Sequence, residues 1–197
     1  MTQRNVAILL FNDVEVLDFA GPFEVFSVTS ELNEDKPFLV YTVAEKNGSI
    51  QAKNGLSVNP KYTLTDCPSP DILIVPGGKG SREAMKQSTI LDWIKTCSQD
   101  AELVLSVCTG SLILAKAGLL EGLRATTHYQ AVDLLREIAP NTEVVENQRF
   151  VEQDKIITSG GISAGIDSSL YVVAKLLGQE TAIKTAQYME YHWTHPL

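Results

Sequence analysis

Clustered positive charge, paired cysteines and long apolar runs are all missing from this 197-residue chain, and each absence removes a class of function. Lys and Arg number 16 against 24 Asp and Glu, a formal net charge of −8, and the cations are scattered. A phosphate backbone is held by clustered cations, so no nucleic-acid partner is expected. The three cysteines, Cys67, Cys97 and Cys108, show no paired spacing. That argues against a disulfide framework and for a cytoplasmic, reducing location. The longest early apolar run, Val6–Phe11, gives way at once to Asn12, Asp13 and Glu15. It is too short for a membrane span and lacks the plan of a secretory signal, so no membrane association is expected. CxxC and HExxH motifs are absent, and His192 and His195 do not by themselves make a metal site.

What is present is ordinary globular composition, 44% hydrophobic and 20% charged. One domain spanning 1–197 is expected. Short apolar runs at Val6–Phe11, Phe38–Ala44, Ile72–Val75, Leu103–Val107 and Ile156–Thr158 read as strands. Unbroken apolar runs suit strands covered on both faces, as in a parallel sheet. Between them lie helical patterns at Leu17–Leu32, Thr89–Gln99, Thr109–Ala117, Gln130–Ala139, Ser163–Leu177 and Glu180–Tyr191. Pro22 is read as tolerable near its helix start, and Gly178 as a helix stop. The alternation predicts an α/β fold with a mostly parallel sheet and helices on both faces. In such sheets ligands sit outside the carboxyl ends of the strands, so the strand-to-helix junctions are the places to search.

Three junctions stand out. Pro76-Gly77-Gly78-Lys79-Gly80-Ser81 follows the third strand, but its spacing fits neither a phosphate loop nor a dinucleotide fingerprint. It reads as a tight turn, or as backbone donors for a small anion. In Leu103-Val104-Leu105-Ser106-Val107-Cys108-Thr109-Gly110-Ser111 a buried strand runs straight into a helix with a cysteine at the junction. This is the plan of a nucleophile elbow, without the glycine that precedes the nucleophile in the serine form. A helix N-terminus favours thiolate over thiol, so Cys108 is expected to be the reactive and most oxidisable cysteine, with Cys67 and Cys97 structural. The third junction, Thr158 through Asp167, carries Gly160 and Gly161, which either turn the chain or cap a pocket with backbone amides. No histidine follows Cys108 to build a local Cys-His-Glu triad. Asp18, after the first strand, is either a helix cap or the acid that reaches Cys108. His128 reads as structural more readily than as catalytic.

Leu17-Asp18 with Gly21-Pro22, Pro76-Gly77-Gly78, Ser106 through Leu112, Gly118-Leu119-Leu120, Arg124 through His128, and Gly160 through Asp167 together carry a resemblance. The chain resembles the DJ-1/PfpI superfamily and, within it, the isonitrile hydratase branch. PfpI proteases have His immediately after the cysteine, where this chain has Thr109, and DJ-1-like glyoxalases and deglycases use Glu where this chain has Asp18. Regulator relatives add a DNA-binding module; a free-standing domain is expected here.

The resemblance implies a flavodoxin-like three-layer sandwich and a homodimer in which the helix near Asp18–Phe26 contributes to the interface. It implies cofactor-free hydration of a small-molecule isonitrile to an N-substituted formamide. Cys108 would be the nucleophile and Asp18 the general acid and then base. Thr109 would position substrate or water by its hydroxyl and N–H, and Gly78, Gly161 and Ile162 would line the substrate with backbone amides. Two other readings stay open: a non-catalytic sensor of small molecules or oxidants, and a glyoxalase or deglycase.

Overall fold

A computed structural model describes residues 2–194. The elements run β1 (Arg4–Leu10), α1 (Val16–Glu31), β2 (Phe38–Ala44), the small hairpin β3 (Ile50–Gln51) and β4 (Ser57–Val58), and β5 (Tyr62–Thr63). There follow β6 (Ile72–Val75), α2 (Ser81–Ala84), α3 (Ser88–Asp100), β7 (Leu103–Ser106) and α4 (Gly110–Lys116). The chain ends with β8 (Arg124–Ala125), α5 (Val132–Ile138), β9 (Glu143–Val144), β10 (Phe150–Gln153), β11 (Ile156–Ser159), α6 (Ala164–Leu177) and α7 (Gln179–Tyr188).

Seven strands form the main sheet in the order β10-β11-β7-β6-β1-β2-β5. Every pairing is parallel except β10 with β11. Central β1 pairs on both sides, Ile8 lying opposite Thr42 of β2 and Ile74 of β6. Helices α1, α6 and α7 pack together, as do α2 to α5, and the two groups flank the sheet. That is why Val6–Leu10, Ile72–Val75 and Leu103–Leu105 are buried without alternation. Among the described residues no helix is long and apolar enough to cross a membrane.

The five expected strands and six expected helical regions are all present, with ends shifted by a few residues; Gln130–Ala139 divides into a single 3₁₀ turn and α5. The short strands β3, β4, β5, β8 and β9 and the short helix α2 are additional to the sequence reading, β5 closing one edge of the main sheet, and three further features differ from it. Strand β10 was not foreseen, because Glu152 and Gln153 interrupt its apolar character; as an antiparallel edge strand it needs only one buried face. Pro22 lies well inside α1 rather than at its start. Its ring nitrogen cannot donate to the Asp18 carbonyl one turn back, so the helix tolerates a missing hydrogen bond beside the candidate acid. The apolar girth of α1 also has an intramolecular explanation. Phe19, Val25, Phe26 and Val28 are buried within the chain, between the sheet and helices α6 and α7, leaving Leu17 and Phe23 each 37% exposed. His195 lies outside the described residues.

Candidate active site

The chain leaves β1 for β2 on one side and returns to β6, β7 and β11 on the other, so the strand order reverses beside β1. The crevice at such a reversal lies outside the carboxyl ends of the strands. Three segments meet there: the start of α1 with Asp18, the Pro76-Gly77-Gly78 turn after β6, and Cys108 after β7.

Cys108 sits at φ 56°, a left-handed conformation that sets it apart from the strand before it and the helix after it. Its own N–H donates to the Gly160 carbonyl at 2.9 Å and the Ser159 carbonyl at 3.2 Å. Its carbonyl accepts from Thr127 Oγ1 at 3.1 Å and Ser111 Oγ at 3.3 Å. The sharp turn is therefore held by β11, by the segment after β8 and by α4 together. The backbone N–H groups of Thr109 and Ile162 donate to the thiol. Ile162 is itself at φ 48°, which is strained for a β-branched residue. Such a conformation costs about 1–3 kcal/mol and persists where the surroundings impose it. The expected backbone amide of Ile162 is thus present, aimed at the sulfur.

Asp18 is the third residue of α1 and fully buried. It does not cap the helix. Its Oδ2 accepts from the Gly77 N–H at 3.0 Å, while Oδ1 has no well-aligned hydrogen-bond partner among the described residues. The carboxyl also interacts with the Cys108 thiol, the group it shares the crevice with. Burial pushes Asp18 up to about 7, against the pull of the Gly77 N–H, and the Glu15 carboxylate raises it further. A carboxyl at that value shares its proton evenly with neutral solution, which is where a general acid and base works best.

At Cys108 burial opposes the helix dipole. Burial pushes its thiol up to about 12, and the Asp18 charge pushes the same way, so the N–H groups of Thr109 and Ile162 are outweighed. Helix α4 has only seven residues to set against that burial. Low thiol acidity does not separate Cys108 from Cys97, which burial also pushes up to about 12. What separates it is the adjacent carboxyl. Two groups this close titrate as a pair, and the state holding one proton includes both thiol with carboxylate and thiolate with carboxylic acid.

Thr109 and Gly78 turn out to serve one another. Thr109 Oγ1 accepts from the Gly78 N–H at 2.9 Å, lies 3.1 Å from the Gly78 carbonyl, and accepts from Ser81 Oγ at 3.0 Å. The hydroxyl expected to hold substrate therefore pins the glycine turn, and the Gly78 amide expected to face substrate is already paired. Gly78 is glycine for its backbone: at φ 118°, an added Cβ would fall 2.3 Å from the Glu15 nitrogen. Gly161 is glycine for a neighbour, since a Cβ there would meet His128 Cδ2 at 2.4 Å. The missing side chain leaves room for the imidazole.

Above the sulfur is an open cleft of about 150 Å³ lined by Glu15, Lys53, Gly78, Lys79, Arg82, Cys108, Thr109, His128, Gln130 and Ile162. His128 Nδ1 accepts from the Gln130 N–H at 3.3 Å, and among the described residues no histidine hydrogen-bonds the thiol. Burial, then the nearby charges of Arg82 and Lys53, holds His128 below its ordinary value. The charged rim of Glu15, Lys53, Lys79 and Arg82 was not anticipated. Nothing local marks it, because these side chains converge from three separate loops and a short helix.

The family model described as the DJ-1/PfpI family matches residues 4–175. The isonitrile hydratase of Pseudomonas putida is 37% identical over 186 residues, covering 94% of this chain and 78% of that protein. The HTH-type transcriptional regulator CdhR of Pseudomonas aeruginosa is 28% identical over 179 residues, covering 91% of this chain. The chain spans about half that regulator's length, 52%. Among solved structures, a ThiJ/PfpI family protein from Pseudomonas syringae superposes with a TM-score of 0.87 at 30% identity, over all of this chain and 78% of that one.

Proposed function

Because the chain belongs to the DJ-1/PfpI family, we propose that it is an isonitrile hydratase, adding water to R–N≡C to give R–NH–CHO. One observation carries this reading: the group beside the cysteine is a fully buried aspartate, which burial pushes up to about 7, rather than a histidine. Peptidase and amidase chemistry asks the partner of the cysteine to protonate a leaving amine. Isonitrile hydration asks instead for a proton on carbon while sulfur adds to that carbon, and a carboxylic acid against the thiol is placed for both. The 37% identity to an isonitrile hydratase supports the same assignment.

In the first step the Cys108 sulfur bonds to the terminal carbon, and that carbon takes the one proton the pair holds, delivered by Asp18. The product is a thioimidate, R–N=CH–S, with Asp18 left as carboxylate. Water then adds to the same carbon. Asp18 accepts one water proton as the hydroxyl bonds to carbon, the remaining hydroxyl proton passes to the nitrogen as the C=O forms, and the C–S bond breaks to release the formamide and leave the pair with its single proton. Nothing is oxidised or reduced, and the balance needs no cofactor. The Thr109 and Ile162 N–H groups, aimed at sulfur, stabilise the thiolate when it forms and when it departs.

Purified protein mixed with a simple alkyl isonitrile should abolish the isonitrile stretch in the infrared and produce the formamide by NMR. Cys108→Ala should show no turnover. If wild type turns over no isonitrile while Cys108 still reacts with thiol probes, the hydratase reading fails and a sensor of small molecules takes its place.

A further inference from the structure

Five arginines occur in the chain, and four of them meet a carboxylate. Arg4 pairs with Glu102, Arg124 with Glu143, Arg136 with Asp133 and Glu146, and Arg149 with Asp167. Arg82 meets none among the described residues. Its Nη1 donates to the Gly78 carbonyl at 3.2 Å and to Ser81 Oγ at 3.2 Å, which fixes the guanidinium on the wall of the cysteine cleft. The Lys79 carbonyl, three residues earlier on the same rim, accepts from the Arg82 N–H at 3.4 Å, and its ammonium meets no hydrogen-bond acceptor or carboxylate among the described residues. Across the cleft Lys53 is engaged with Glu15 at 2.7 Å. Three cations and one carboxylate therefore border the mouth of a site on a chain whose net charge is −8.

That imbalance has a physical consequence. A positive cleft on an acidic protein concentrates the field where substrate enters and raises the local concentration of anions. The charge also reaches His128, which burial and then the Arg82 and Lys53 charges push below its ordinary value. A neutral alkyl isonitrile gains nothing from such a rim. Arginine anchored through one nitrogen still offers other N–H donors to a planar anion, and planar bidentate pairing is what guanidinium does best. The anchoring also matters. Arg82, on α2, bonds the carbonyl of Gly78, next to the Asp18 partner Gly77, so an anion held by Arg82 is held in register with the acid and the sulfur.

We propose that the substrate carries a carboxylate, bound by Arg82 with Lys79 at the rim, so that the isonitrile carbon is presented to Cys108 from an anchored acid. The choice of isonitrile rests on the hydratase reading; the carboxylate rests on the cleft alone. A small acid suits a cleft of about 150 Å³.

Two measurements separate these claims. The first compares an isonitrile bearing a carboxylate with its methyl ester. Wild type should favour the acid in kcat/KM by about tenfold or more at low ionic strength, with the difference in KM and shrinking as salt rises. Arg82→Gln should remove most of that preference, Arg82→Lys should retain part of it, and Lys79→Gln should reduce it severalfold. Equal use of acid and ester by wild type, with no change of ratio in Arg82→Gln, overturns the carboxylate while leaving the hydratase intact.

The second measurement is independent of turnover. Cys108 is alkylated with iodoacetate or iodoacetamide, and modification is followed by peptide mass spectrometry. The ratio of the anionic to the neutral reagent should exceed that of free cysteine by severalfold and fall to that value in Arg82→Gln. Selectivity for iodoacetate without turnover of any isonitrile sinks the hydratase and keeps the anion site. A ratio no different from free cysteine sinks the anion site.

Discussion

Asp18 and Asp167 occupy equivalent places, each buried in the first turn of a helix that starts at the carboxyl edge of the sheet, yet they are treated in opposite ways. Asp167 is fully answered: Arg149 donates to Oδ2 through Nε at 2.6 Å and Nη2 at 2.5 Å, and Tyr191 donates to Oδ1 at 2.9 Å. Among the described residues Asp18 receives one backbone N–H and no cation in contact, and one of its oxygens is left without a well-aligned donor. A buried carboxylate with a guanidinium beside it is a structural brace. A buried carboxyl without one keeps its proton into the neutral range and becomes a reagent. Arg149 also reaches Ser163 Oγ at 3.1 Å, so the brace at Asp167 secures the segment that presents Ile162 to the sulfur. The two aspartates divide the work, one holding the site and one acting in it.

The sharpest way to break this division is to neutralise each in turn. Asp18→Asn should lower turnover by about 10²–10⁴, the range general acid–base groups supply, while the protein stays folded. Asn can still accept from the Gly77 N–H. Asp167→Asn should do the reverse, destabilising the fold by about 2 kcal/mol through the loss of charge-assisted hydrogen bonds to a half-exposed arginine. Its turnover should remain well above that of Asp18→Asn. Steady-state rates and urea melts on the pair decide it; equal losses of activity would end the comparison.

Stability against pH offers a second test of the same asymmetry. The folded Asp18 lies near 7, above its unfolded value near 4. Its contribution is therefore complete below about 4 and is lost as pH rises through about 7. The wild-type minus Asp18→Asn stability difference should fall across that window by an amount on the order of 2–4 kcal/mol. A flat difference curve would show that Asp18 titrates normally. Activity should move the other way. The one-proton state of the Asp18–Cys108 pair is the reactive one, so kcat/KM should climb as pH rises through about 7 and should lose that inflection in Asp18→Asn.

Thr109→Val sharpens the contrast at smaller scale, because Thr109 Oγ1 pairs with the Gly78 N–H instead of reaching into the cleft. The variant should cost about 1–3 kcal/mol of stability by orphaning a buried donor, with activity reduced by about tenfold or less. Loss of turnover to match Asp18→Asn would return the hydroxyl to the chemistry. The smallest effect concerns assembly. We propose a homodimer, and since Leu17 and Phe23 are the large apolar side chains of α1 that stay exposed, that helix offers a narrow apolar contact. Light scattering should give about 43 kDa, twice the chain's 21.5 kDa, and Phe23→Ser should weaken the dimer modestly.

Local pattern determined a good deal of this molecule. Unbroken runs such as Val6–Leu10 and Leu103–Leu105 announce strands buried on both faces, because no polar residue interrupts them. The step from Leu105 through Cys108 to Gly110 announces a nucleophile at a strand-to-helix turn, because both elements are legible within nine residues. Pro76-Gly77-Gly78 likewise declares a turn, and neither glycine has room for a Cβ. What the tertiary structure alone decided is which of these groups face one another. Asp18 and Cys108 are ninety residues apart, and their titration depends on burial and on a Gly77 amide that no spacing encodes. Thr109 turned inward to Gly78, most of the apolar girth of α1 is buried inside the chain, and Arg82 meets no acid among the described residues, all for one reason. Hydrogen bonding and electrostatics act through distance in space, and only the folded chain sets those distances.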